Sequence, residues 1–95
     1  MFLARVTGEV VSTIKHAVLA GRKELLAVPI DPRTLEPNAG ATAVIALDFV
    51  GAGLGETVLV VDEGNAAALV TGLVDPPIRT MILGVVDEVR VGPAA

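Results

Sequence analysis

The chain predicts an all-β fold: a small, OB-like, partly open barrel of five strands, with one short helix before the last strand. Three observations lead there. Aliphatic runs of strand length recur along the sequence, separated by segments rich in Gly, Pro, Asn and Asp. The first run alternates with period two and has one apolar face. Only one short stretch, rich in alanine, has the character of a helix.

The elements follow in order. Residues 3–14 place Ala4, Val6, Gly8, Val10, Ser12 and Ile14 on one face and Leu3, Arg5, Thr7, Glu9, Val11 and Thr13 on the other, which is a half-buried strand. Gly8 in its middle predicts a bend or a close backbone approach, as at a barrel corner. Lys15 to Lys23 is a polar connection that turns at Gly21. Glu24 to Ile30 is the second strand, and Pro29, which has no N–H for a ladder, belongs at an edge or at the strand's end. Asp31 to Gly40 holds Pro32, Pro37, Asn38 and Gly40 and reads as a loop. Ala41 to Leu47 and Thr57 to Asp62 are the third and fourth strands. Gly64 to Val70 is the helix, capped by Asn65 and closed near Gly72. Asp75-Pro76-Pro77 forces an extended turn. Thr80 to Val91 is the fifth strand, with Met81, Leu83 and Val85 on one face and Ile82 and Val86 on the other.

Strands three, four and five are apolar on both faces. Helices cover the second face in α/β proteins, but this chain has at most one short helix. Its 95 residues predict one domain spanning 1–95, and a domain of that size leaves a large share of its surface in water. Hydrophobic residues are 53% of the sequence, and Phe2 and Phe49 are the only aromatics. Such a chain exposes more apolar surface than a soluble monomer tolerates. Sister subunits are the natural cover, so the outer wall of the barrel is expected to pack against copies of itself.

The formal net charge of −4, with seven basic residues scattered from Arg5 to Arg90, argues against nucleic-acid and anionic-membrane partners. A nucleic-acid barrel also needs aromatic stacking platforms, and the chain has no Trp and no Tyr. There is no cysteine, hence no disulfide framework and no thiolate metal site. No apolar run is long enough to span a membrane, and the N-terminus lacks the features of a signal peptide, so the expected location is cytosolic.

Catalytic and ligand-binding readings find little support. Ser12 and His16 are the only serine and histidine, and their spacing around a strand end does not assemble a triad. The carboxylate pairs Asp62/Glu63 and Asp87/Glu88 point to opposite sides if extended and do not converge on a cation. No cofactor and no metal is expected. The stretch Asp48-Phe-Val-Gly-Ala-Gly-Leu-Gly-Glu56 has the glycines of a phosphate loop. However, a strand pattern follows it rather than a helix N-terminus, Asp48 and Glu56 would repel phosphate, and no basic partner adjoins it. Its glycines suit close approach to another backbone.

Several segments together resemble a known family. Leu3-Ala4-Arg5-Val6-Thr7-Gly8-Glu9-Val10-Val11-Ser12-Thr13-Ile14-Lys15-His16 resembles the start of the bacterial microcompartment vertex proteins, of the ethanolamine-utilization and carboxysome types. Gly21-Arg22-Lys23-Glu24-Leu25-Leu26 and Ile30-Asp31-Pro32 are similar to their second strand and its end. Asp48 to Glu56 resembles their most recognisable motif, Gly64-Asn65-Ala66-Ala67 their helix start, and Pro77-Ile78 with Ile82 to Asp87 their last strand. The resemblance covers nearly the whole chain in order. The Lys15-His16 pair and the end of the second strand resemble the metabolosome types more than the carboxysome ones. Two positions depart from the pattern: Ala68 stands where members often carry Arg, and Arg79 where they often carry Asp.

The resemblance implies a non-enzymatic barrel that assembles as a homopentamer and plugs the vertices of a bacterial microcompartment shell, in contact with hexameric and trimeric shell proteins. The compartment would enclose a pathway with a volatile or toxic intermediate, or be a carboxysome. On this reading Asp48, Gly51, Ala52, Gly53, Gly55 and Glu56, with Ser12 and Lys15, are the candidate shell-interface residues. An oligomeric barrel that binds a small ligand and an enzyme working through Asp87 and Glu88 are the alternatives.

Overall fold

The computed structural model describes residues 1–11, 21–72 and 79–93, and only the backbone of residues 64–66. The elements are β1 (Phe2–Val10), β2 (Glu24–Pro29), β3 (Val44–Asp48), β4 (Thr57–Asp62), α1 (Gly64–Thr71) and β5 (Thr80–Val85). The strands form a closed barrel in the order β1-β2-β3-β5-β4. The expected barrel was partly open. A short parallel pairing of β3 with β5, Leu47 opposite Met81 and Asp48 opposite Ile82, closes it, while every other neighbouring pair is antiparallel.

Small and β-branched side chains fill the narrow interior. Ala4, Val6, Leu25, Ala27, Ala46, Val58, Val60 and Ile82 are buried there, with Ala52 from the glycine-rich loop, and Phe2, Val44 and Val85 pack at the margins. A barrel of few strands leaves room only for side chains, so alanine on three successive strands suits the lumen.

Two bulges revise the facing of β1 and β5. Val6 pairs with Ala27 but Gly8 pairs with Leu26, so β1 carries one extra residue at Thr7. A one-residue bulge reverses the alternation beyond it. Gly8 therefore leaves the face it was expected to share with Val6 and stands opposite outward-facing Leu26. A β-carbon there would stand 3.1 Å from Leu26 Cδ1, which is the close approach that glycine predicted. The second bulge lies at Leu83, because Leu59 pairs with Gly84 and Val60 with Ile82. As a result Ile82 and Val85 both face the core, although strict alternation assigned them to opposite faces.

Other boundaries differ for identifiable reasons. β5 stops at Val85 rather than Val91. The Val86 N–H makes the last rung to the Thr57 carbonyl at 2.8 Å, and β4 offers no residue beyond Thr57. β3 begins at Val44 rather than Ala41, because Ala41 closes a turn on the Asn38 carbonyl at 2.9 Å. β2 ends on Pro29, as the missing N–H predicted, and Ile30 makes an isolated bridge to Pro37. The N-cap of α1 is Glu63, not Asn65, and its side chain makes no capping bond. Gly72 closes the helix in the left-handed conformation at φ 74°. The expected continuation of β1 through Ser12 to Ile14, Lys15, His16 and the Asp75-Pro76-Pro77 turn lie outside the described residues.

Outside the lumen the wall remains apolar. Leu47, Met81 and Val61 are buried as well, although they are not part of the lumen cluster formed by their strand neighbours Ala46, Ile82 and Val60. α1 packs beside β4 and buries Ala67. Leu3, Leu26, Val28 and Leu59 are half-buried, and Ile45, the second residue of β3, is 52% exposed. Among the described residues no helix is long and apolar enough to cross a membrane.

Candidate functional site

The loop from Phe49 to Glu56 joins β3 to β4, and the barrel fixes it at both ends. At its start the Asp48 N–H donates to the Lys23 carbonyl at 2.8 Å, and the Phe49 N–H donates to the Ile82 carbonyl at 3.2 Å. At its end the Gly55 N–H donates to the Val6 carbonyl at 2.9 Å, and the Val6 N–H to the Glu56 carbonyl at 3.0 Å. Gly51 and Gly55 have φ of 75° and 83°, values at which an L side chain is strained, so two of the three glycines are required by the loop's own path.

The candidate residues divide into supports and surface. Asp48 is buried at 5% exposure, and its Oδ1 accepts the Val50 N–H at 3.0 Å. Ala52 is fully buried and its methyl joins the barrel core. Neither presents a face to a partner; they hold the loop from within. Gly51, Gly55 and Glu56 are exposed, and Gly53 is half-exposed. Glu56 folds back on the loop: Oε1 accepts the Gly53 N–H at 2.7 Å, and the Glu56 N–H donates to the Gly53 carbonyl at 3.2 Å. Ser12 and Lys15 lie outside the described residues.

The structure adds residues that the sequence reading did not single out. Leu54, at 68% exposure, and Val50, at 40%, are the exposed large aliphatic side chains of the loop. The signal for Leu54 was present, since it is the one bulky residue among the glycines. Contrary to the expectation that no basic partner adjoins the loop, it has two. The Arg22 guanidinium stands 4.4 Å from the centroid of the Phe49 ring. Lys23 Nζ donates to the Ala52 carbonyl at 2.7 Å and lies 3.7 Å from Asp48 Oδ2. β2 and β3 separate these residues from the loop in sequence; the antiparallel pairing of β2 with β3, Glu24 opposite Leu47, brings them together. Lys23 is directed at a carbonyl and a carboxylate of this segment and Arg22 at the Phe49 ring, and Glu56 is the charged residue of the exposed stretch Gly51–Glu56. Among the described residues no three His, Asp or Glu side chains gather as a metal would need.

The two departures from the family pattern lie near the helix. The Arg79 carbonyl accepts the Glu63 N–H at 3.3 Å, beside the helix start, and the Ala68 carbonyl accepts the Gly72 N–H at 2.8 Å, at its end. Ala68 lies within α1 and Arg79 beside its start, and no hydrogen bond or ion pair between the two is present among the described residues.

Comparison with known proteins agrees with this architecture. A family described as "Ethanolamine utilisation protein EutN/carboxysome" matches residues 1–87. The bacterial microcompartment shell vertex protein EutN of Escherichia coli is 39% identical over 92 residues, which are 97% of this chain and 93% of that protein. The carboxysome shell vertex protein CcmL of Synechocystis is 43% identical over 93 residues, covering 96% and 87%. The solved structure of the GrpN pentameric microcompartment shell protein from Rhodospirillum rubrum superposes with a TM-score of 0.77 at 32% identity, covering 98% of this chain and all of that one. By sequence along nearly its whole length and by the fold of its barrel, the chain belongs to the EutN/carboxysome family.

Proposed function

We propose that this protein is a structural component of a bacterial microcompartment shell. Five copies form a ring that fills a five-fold vertex, and the edge Gly51–Glu56 meets the neighbouring shell tiles. The observation that carries the pentamer is the aliphatic outer wall. Leu26 and Ile45 are cross-strand neighbours on β2 and β3, and Leu3 and Leu59 are cross-strand neighbours on β1 and β4. All four point away from the lumen, and the protomer leaves them partly in water. A cyclic ring needs two different patches on each subunit, one meeting the other on the next copy. These two apolar rows on different stretches of the wall supply such a pair.

The role is mechanical rather than catalytic, and the proposed neighbours are the hexameric and trimeric proteins of the shell facets. Native mass spectrometry of the purified protein is expected to give a pentamer. Ile45→Asp, which places a carboxylate in the centre of one patch, is expected to give monomers. A wild-type monomer or dimer would overturn the ring.

The loop's part in this is tested separately. Gly53 has an ordinary φ, and a β-carbon there meets only Glu56 Oε1, at 3.4 Å. Gly53→Trp and Leu54→Asp should therefore leave the pentamer intact while preventing closure of shells co-produced with the facet proteins. Closed shells of normal size and number with both variants, seen by electron microscopy, would remove the loop from the joint.

A further inference from the structure

The two adjacent basic residues before β2 act on the same loop from outside it, and Lys23 has the geometry of a fastener. Its ammonium bridges two loop positions. One is the carbonyl of Ala52, in the middle of the loop, at 2.7 Å; the other is the carboxylate of Asp48, where the loop begins, at 3.7 Å. The Asp48 side chain is 2% exposed and that of Lys23 is 44% exposed, so the cation reaches in from solvent to a carboxylate that is already buried. The second oxygen of that carboxylate is committed to the Val50 N–H. Ala52 is thus held from both sides, its methyl in the barrel core and its carbonyl under the ammonium.

We propose that Lys23 is the positioning residue of the assembly edge: its charge ties the middle of the glycine-rich loop to Asp48 and so fixes the exposed segment Gly51–Glu56 in the shape that meets a neighbouring tile. The proposal rests on the reading of that segment as the joint. Two features of the site support it. A charged donor strengthens a hydrogen bond to a carbonyl about twofold over a neutral one. A loop rich in glycine loses more conformational freedom on ordering than any other, so it needs an external tie to keep one shape.

The test uses Lys23→Met, which keeps most of the aliphatic stem and removes the donor, with Lys23→Arg as the conservative variant and Asp48→Asn as a second route to the same loss. Each is examined as the full chain by native mass spectrometry, by amide hydrogen exchange, and by electron microscopy of shells formed with facet proteins. In Lys23→Met the pentamer is expected to persist. Amides of residues 50–55 should exchange about tenfold faster while those of β1 and β4 keep their protection, and closed shells should become rare. Lys23→Arg should restore both protection and closure, and Asp48→Asn should loosen the same amides. Unchanged exchange at residues 50–55 in Lys23→Met and Asp48→Asn would overturn the tie, whatever the shells do. Faster exchange with normal shell closure would leave the tie in place and overturn the reading of the loop as the joint. If Lys23→Met fails to assemble, restoration by Lys23→Arg together with loop-confined exchange in Asp48→Asn supports the proposal, and exchange spread over all strands in Asp48→Asn overturns it.

Discussion

Gly51, Gly53 and Gly55 look alike in sequence and differ in what the backbone asks of them. Gly51 and Gly55 occupy the left-handed region, and open space surrounds the position a β-carbon would take. The penalty for an L side chain there is conformational, about 1–2 kcal/mol. Gly53 has no such requirement. Gly55→Ala is therefore expected to lower the stability of the assembled protein by about 1 kcal/mol, and Gly53→Ala to change it by under about 0.5 kcal/mol. Urea unfolding at matched subunit concentration separates the two. A similar cost is already present at Leu35, a non-glycine residue at φ 60°, whose carbonyl is held by the Arg5 guanidinium at 2.7 Å. That contact fastens the loop after β2 to β1, as Lys23 fastens the loop after β3.

At the scale of elements, the bulges and the helix show where local sequence and assembly part company. Each of β1 and β5 carries an inserted residue followed by a glycine on the outer face, Gly8 and Gly84. The bulge bends the strand around the barrel, and the glycine lets the neighbouring strand's leucine, Leu26 or Leu59, lie over it. α1 is weakly specified by its own sequence. It has no side-chain cap at Glu63, no acidic residue in the first turn and no basic residue in the last. Its stability comes from burying Ala67 and Thr71, whose hydroxyl donates to the Ala67 carbonyl at 2.7 Å. Glu63→Ser, which places a good capping oxygen at the extended N-cap, is expected to stabilise the protein by about 1 kcal/mol and raise its melting temperature. A melting temperature at or below that of the wild type would show that the N-cap is not the weak point.

At the scale of the molecule, apolar surface decides the assembly. The lumen is small and filled, so much of the chain's aliphatic content lies on the outer wall, with Ile45 half in water. Burying such a wall between copies removes it from solvent at about 25 cal/mol per Å² of apolar surface. The Ile45→Asp test therefore acts at this scale: one carboxylate in a shared apolar face disrupts every interface in a ring at once. The glycine-rich edge answers a different need. It carries little apolar area beyond Leu54 and Val50, and it is fixed in shape by Lys23, Asp48 and Glu56. Its substitutions are predicted to spare the ring and affect only what the ring joins.

The chain's own pattern determined the number and order of strands, the helix before the last strand, the loop between β3 and β4 and the surplus of aliphatic surface. These follow from short-range chemistry: period two, the missing N–H of Pro29, the turn residues of 31–40 and the alanines of α1. Tertiary structure decided the rest. Closure of the barrel depends on a parallel pairing between residues more than thirty positions apart in the chain, which no local preference encodes. The facing of Gly8 and Val85 depends on where neighbouring strands force a bulge. Asp48 and Ala52 became supports rather than surface because the fold turned them inward. Lys23 reached the loop across 29 residues of sequence because β2 pairs with β3. A local pattern specifies which segments extend and where they turn; which side chains meet is fixed only when the strands close around a common core.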